Sequence, residues 1–183
     1  MRPRQPHQRI TTTGFFRLLK RCTALRDRIL LLILFQTGCS LADLSSIRPG
    51  DVSFPEDITQ SASIAFSDPK RSSVISSGLA QDLAQFMRAQ QRRPSEFLFS
   101  QQPQKPFSVK RVEQILSGLD ESLTPQDIRY LHITHAALRG LTPDAIAAQS
   151  GLSRQRVLQI LDEAEVTYSQ SYSMFFEDLG GRP

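Results

Sequence analysis

Arg26-Asp27-Arg28-Ile29-Leu30-Leu31-Leu32-Ile33-Leu34-Phe35-Gln36-Thr37-Gly38 carries the most apolar run of the chain, seven Ile, Leu and Phe residues in unbroken succession from Ile29. A run with no polar stripe, entered through charges and closed by a glycine, reads as a helix from Leu25 to Gln36 buried on every side, with Gly38 near its end. Seven residues are far too few to span a bilayer. Whatever else the chain forms must therefore wrap this helix. Immediately downstream, Leu41 to Ile47 reads as a short helix and Pro49-Gly50 as a turn. Upstream, Thr11-Thr12-Thr13 supplies capping hydroxyls for a helix carrying Phe15, Phe16, Leu18 and Leu19. Further on, Ser61–Ser67 alternates small polar and apolar residues. Asp68-Pro69 is turn chemistry, and Ser72–Ser76 returns as a second strand. Leu79–Gln90 has helical spacing, Phe97-Leu98-Phe99 reads as a third strand or extended segment, and Val109–Leu119 as another helix.

The last third is helical. Thr124-Pro125-Gln126-Asp127 and Thr142-Pro143-Asp144 each place a capping hydroxyl before a proline at the first helical position. They open helices running to about Arg139 and to Ser150. Ser153 caps one more, to about Ala164. The fold class expected is α+β, mainly α-helical, with a small antiparallel hairpin or three-stranded sheet. The expected organisation is a basic arm over 1–10, one domain over 11–165 and a tail over 166–183.

With 183 residues, 39% hydrophobic and 22% charged, the composition is that of an ordinary globular domain. The net charge is +4 and the pI about 9.4. Its placement says more than its size. Residues 1–26 hold seven basic side chains and no acid, and the remainder carries 15 basic against 18 acidic. A basic leader is a common means of holding phosphates, and equally a solvated tail. Cys22 and Cys39 have no CxxC partner, and read as reduced thiols. His132 and His135 have no Cys or carboxylate to complete a metal site and read as core or capping residues. No metal, cofactor or membrane segment is expected. The polar N-terminus is not a secretory signal, and a cytoplasmic or nucleoid-associated location is expected.

Residues 141–161 also carry a helix-turn-helix pattern. Ala147 is small where two helices cross, Gly151 sits at the turn, and apolar Val157 follows. In that reading Ser153 caps a recognition helix, and Arg154, Gln155, Arg156 and Gln159 project toward base edges in the major groove. The alternative is an αα-hairpin with a polar solvated face.

Two segments resemble the catalytic domain of tyrosine recombinases, the phage integrases. The first is Arg26–Gly38 leading into Cys39-Ser40-Leu41-Ala42-Asp43-Leu44, with Leu44, Ile47 and Asp51 on the family's spacing. The second runs without a gap from Thr124-Pro125-Gln126-Asp127-Ile128-Arg129 through Thr134-His135, Gly140 and Gly151-Leu152. The resemblance covers roughly residues 11–165. It implies a site in which two arginines and two histidines hold a phosphate, a hairpin lysine acts as general acid and a tyrosine attacks. Carried over by position, the first arginine falls on Ser40, followed by the acidic Asp43, and the first histidine on Gln126. The second arginine is retained as Arg129, the second histidine falls on Leu152 and the tyrosine on Leu161. The hairpin lysine falls loosely on Lys70, and the adjacent Arg71 is a candidate DNA contact. Arg129 reads either as a phosphate contact or as half of a structural ion pair.

The expected function is binding of double-stranded DNA without cleavage, in a regulatory or accessory role. A homo-oligomer or an active recombinase is the expected protein partner. Two alternatives stand beside it: an active recombinase with Tyr168 or Tyr172 as nucleophile, and a protein-interaction module that keeps only the fold. About twenty residues precede the matching region, so the separate N-terminal domain usual in such enzymes is not expected in this chain.

Overall fold

A computed structural model of the chain describes residues 10–57, 60–67 and 70–164. The basic arm through residue 9, the Asp68-Pro69 turn and the tail from 165, with Tyr168 and Tyr172, lie outside the described residues. The helices are α1 (Thr12–Arg21), α2 (Leu25–Thr37), α3 (Leu41–Ser46), α4 (Ser77–Gln90), α5 (Val109–Leu119), α6 (Pro125–Leu138), α7 (Pro143–Ser150) and α8 (Arg154–Glu163). The strands β1 (Val52–Ser53), β2 (Ala62–Ser67) and β3 (Lys70–Ile75) form one antiparallel sheet in chain order. Ser67 pairs with Lys70, and Ala62 with Ile75.

As its sequence demands, α2 lies at the centre, with Ile29 to Phe35 all buried. Helices α3, α4, α5 and α6 and strand β3 pack around it. The sequence also fixes where α2 stops. Gly38 adopts φ +61° and donates its N–H to Leu34 O. A Cβ there would stand 2.4 Å from Cδ2 of His132. Glycine is thus required twice, for the left-handed backbone and for the close approach of the imidazole.

Side-chain caps set most of the other helix starts. Thr11, Ser40, Ser76, Thr124, Thr142 and Ser153 each accept a hydrogen bond from the backbone N–H three residues on. The third strand is Val52–Ser53, paired with Ile64 and Ser63. Phe97–Phe99 forms no strand. Its chain bends at Leu98 and Phe99, which are both buried, and the Leu98 N–H bonds to Ile47 O.

The apolar interior is divided. The large cluster joins α1 to α5, the sheet and the first half of α6. A second, smaller cluster gathers Ile133, Ala136 and Ala137 of α6, Ile146 of α7, and Val157, Ile160 and Leu161 of α8. Helix α6 runs through both. Gly38→Ala should lower the free energy of unfolding by about 2–4 kcal/mol, the sum of left-handed strain and overpacking against His132. Urea denaturation measures this, and a loss under about 1 kcal/mol would mean that the ring moves aside freely.

Candidate nucleic-acid interface

Ser40 is the N-cap of α3. Its hydroxyl accepts from Asp43 N (3.0 Å) and donates to Asp43 Oδ2 (2.7 Å), while its own N–H reaches the same oxygen. That oxygen also accepts from Nη2 of Arg71 at 2.9 Å. Period two along β3 decides which hairpin cation can reach it. Lys70 is exposed with Ser72 and Val74, whereas Arg71 shares the inner face with Ser73 and Ile75. The Arg71 and Asp43 side chains are only 6% and 11% exposed. The guanidinium lies over the Phe66 ring, 4.4 Å from its centroid. On its other side is Gly151, at φ +71°, where a Cβ would stand 2.8 Å from Arg71 Cζ.

Both inner arginines end on the same helix terminus. Arg71 Nε donates to Gln149 O at 3.1 Å. Arg129 donates Nη2 to Ser150 O at 2.8 Å and Nε to Gly38 O at 2.7 Å. Ser73 Oγ adds a bond to Gln149 O, and the Gln149 amide donates to Gln36 O. The last carbonyls of a helix have no partners within it and form the negative end of its dipole. Two guanidiniums supply both the donors and the charge that α7 needs there. Arg129 is held by carbonyls and not by a carboxylate among the described residues, so the ion-pair reading of it is corrected. Burial pulls its pKa below the usual guanidinium value.

Arg129 also borders a cleft of about 390 Å³ lined with Ser40, Glu113, Thr124 and Gln126. Leu152 packs against the smaller apolar cluster, and Leu161 is buried within it.

On α8, Arg154, Gln155 and Gln159 are exposed. Arg154 pairs with Asp144, also exposed, and Gln159 bonds Glu163. Arg156 departs from the expected outward row. It lies one position before buried Val157, and its guanidinium turns onto Tyr130, donating to the phenol oxygen and approaching the ring.

A basic concavity lies elsewhere, at the N-terminus of α5. A cleft of about 550 Å³ is lined by Arg26, Lys105, Lys110 and Arg111, with Gln101 and Gln114 among its neutral side chains. A second cleft of about 400 Å³ shares Arg26, Ser100 and Gln101 and adds Arg92. Among the described residues no carboxylate lines either. Arg26 bonds neighbouring Asp27 and lies over Phe107. Arg92 donates to Ser100 O, and its buried Nε has no partner. Ser108, the N-cap of α5, makes no side-chain capping bond, and the first turn holds no acid. Cations at the positive end of an uncapped helix work against its stability. The signal was present in the sequence, since no acid occurs between Phe97 and Val112 while Lys105, Lys110 and Arg111 do. Arg26 joins them only through the fold.

No family model matches the chain. A tyrosine recombinase of Pseudothermotoga lettingae is 24% identical over 122 residues, 63% of this chain and 42% of the relative. The chain thus spans less than half the length of that curated relative. Among solved structures, XerA recombinase superposes with a TM-score of 0.73 at 16% identity, covering 100% of this chain and 67% of its own. XerH recombinase bound to its difH substrate gives 0.67 at 15%, covering 89% and 53%. The Tn1549 transposon integrase in complex with transposon right-end DNA gives 0.66 at 16%, covering 99% and 68%. This chain has the fold of a tyrosine recombinase catalytic domain.

Ser40 is a helix-capping residue and Leu161 is buried in the smaller apolar cluster. The histidines of α6 are structural. His132 Nδ1 is 2.8 Å from Phe35 O and must be the protonated nitrogen, since a carbonyl only accepts. Its Nε2 is buried without a partner, and burial pushes the pKa down to about 4. His135 lies against Phe35, with Nδ1 3.4 Å from the Thr12 hydroxyl. The described residues contain no His, Cys, Asp and Glu grouping able to hold a metal and no helix long and apolar enough to cross a membrane.

Two outcomes follow for stability. Arg71→Ala leaves the nearly buried Asp43 carboxylate without its cation and Gln149 O without one of its two donors, and should cost about 3 kcal/mol or more, read by urea denaturation. A cost near zero would mean that water replaces the guanidinium. His132 is neutral in the fold at a pH where the unfolded chain takes up a proton. Its contribution is therefore complete above pH 6.5 and is lost as the pH falls toward 4, at up to about 1.4 kcal/mol per unit. Unfolding free energies measured across that window should show this slope, and His132→Asn, which keeps a donor toward Phe35 O, should flatten it.

Proposed function

We propose that this chain binds double-stranded DNA without cleaving it, in a regulatory or accessory role to recombination. The observation that carries the proposal is the cleft at the uncapped start of α5, where Arg26, Lys105, Lys110 and Arg111 converge and, among the described residues, no carboxylate lines the wall. Clustering like charges at a helix N-terminus costs folding free energy. A phosphate backbone offsets that cost through charge-assisted hydrogen bonds and release of counterions. The recombinase catalytic-domain fold supports the same ligand, because XerH and the Tn1549 integrase are solved on DNA.

The absence of cleavage rests on chemistry. Attack on phosphorus needs an oxygen nucleophile and preorganised donors around the developing charge. Leu161 supplies no nucleophile, the Ser40 hydroxyl is committed to Asp43, and Gln126 is neutral. Arg129 can still offer one face of its guanidinium to a phosphate in the cleft beside it. Arg71, clamped inside the protein, acts through the fold and not by touching DNA. The exposed row Arg154, Gln155 and Gln159 on α8 is a second, weaker contact, in keeping with the helix-turn-helix pattern of residues 141–161.

Titration of a labelled random-sequence duplex at several salt concentrations tests this reading. Binding should weaken steeply with salt, and Lys110→Ala/Arg111→Ala should lower the slope of log K against log salt by about 2. Arg154→Ala/Gln155→Ala should have the smaller effect. No binding even at about 50 mM salt would defeat the proposal. So would a covalent protein–DNA adduct on a nicked duplex, since that would restore the active-recombinase reading.

A further inference from the structure

Helix α5 is a ridge between two clefts of unlike character. Its buried face is Val112, Ile115 and Leu116. At about 100° per residue, Arg111 and Gln114 fall on one exposed flank and Glu113 on the other, with Lys110 near the crest between them. The two clefts follow this division. Lys110, Arg111 and Gln114 line the cleft shared with Arg26 and Lys105, while Glu113 lines the cleft shared with Ser40, Gln126 and Arg129. One side thus presents four basic residues, of which Arg26 is already paired with Asp27, and among the described residues no carboxylate lines it. The other presents one guanidinium and one carboxylate. That guanidinium already gives two donors to Gly38 O and Ser150 O, and Glu113 makes no ion pair among the described residues.

We infer that Glu113 makes the grip of α5 on DNA one-sided: one phosphate strand is held along the Arg26–Lys105–Lys110–Arg111 cleft, and the Glu113 carboxylate repels the other from the Arg129 cleft. The inference rests on the DNA-binding reading. A phosphodiester entering the second cleft meets a like charge across a distance no greater than the cleft itself, in a concavity where water screens less than in bulk. Glu113 therefore opposes the attraction of Arg129, the retained family position, so that the duplex is held mainly by one backbone. Glu113 is exposed, so its removal leaves packing untouched.

The test is anisotropy titration of a labelled random-sequence duplex with the wild type, Glu113→Gln, Glu113→Lys and Glu56→Gln, the last an exposed acid lining neither α5 cleft. Glu113→Gln should bind about three- to tenfold tighter at about 50 mM salt, an advantage fading near 0.5 M as screening shortens. Glu113→Lys should bind tighter still, and Glu56→Gln should match the wild type. Unchanged or weaker binding by Glu113→Gln, with the wild type bound, would overturn the inference and leave the DNA-binding reading standing. Equal tightening by Glu56→Gln would overturn it as well, reducing the effect to net charge. If neither wild type nor variants bind duplex at low salt, both readings fall together.

Discussion

The C-terminal end of α7 is where this molecule is joined. Its last two carbonyls, on Gln149 and Ser150, are taken by guanidiniums from two distant places, Arg71 on a strand and Arg129 on α6. Through them the smaller apolar cluster is tied to the larger one. Without such donors Ser150 O would be left unbonded at the negative pole of the helix, and Gln149 O would keep only its bond from Ser73. Asp43 completes the arrangement by neutralising Arg71, and Ser40 completes Asp43. Ser40, Asp43, Arg71 and Arg129 are thus engaged mainly with one another and with backbone.

This reorganisation gives physical content to the difference between the fold and its chemistry. The recombinase catalytic-domain architecture needs α2 at the centre, α6 spanning both clusters and a hairpin beside α7. None of these requires a charged group to face solvent. Under the proposed function, the groups that would act on a phosphate are separable from the architecture, and residues that cap, pack or clamp stand in their place. In that reading the charge that meets DNA is concentrated instead at the start of α5, where it is unfavourable for the helix itself.

What the sequence made legible was whatever depends on neighbours along the chain. The all-apolar run of α2, the Thr-Pro starts of α6 and α7 and the serine cap of α8 are local statements, and each holds. The third strand was misplaced because Val52–Ser53 is too short to carry a period, while Phe97–Phe99 looks like a strand for a different reason, burial of a loop anchor. The alternation of Lys70 and Arg71 decides which cation faces inward, yet the register that sets it comes from pairing with β2. Arg156 has the spacing of an outward residue and is captured by Tyr130 from another helix. The basic cleft was half visible, as an acid-free stretch containing Lys105, Lys110 and Arg111. Arg26, on the start of α2, could be added only by tertiary structure.

Gly151 faces two demands at once, a left-handed backbone and the Arg71 guanidinium at van der Waals distance. The two positions are therefore not free to drift independently. A lineage that keeps Arg71 must keep glycine, since any Cβ collides with the side chain that clamps the helix end. A lineage that loses Arg71 regains the space, but the backbone still admits little beyond Asn or Asp. Substitutions at 71 and 151 should accordingly be inherited as a pair, with the arginine the first to be released and the glycine the last.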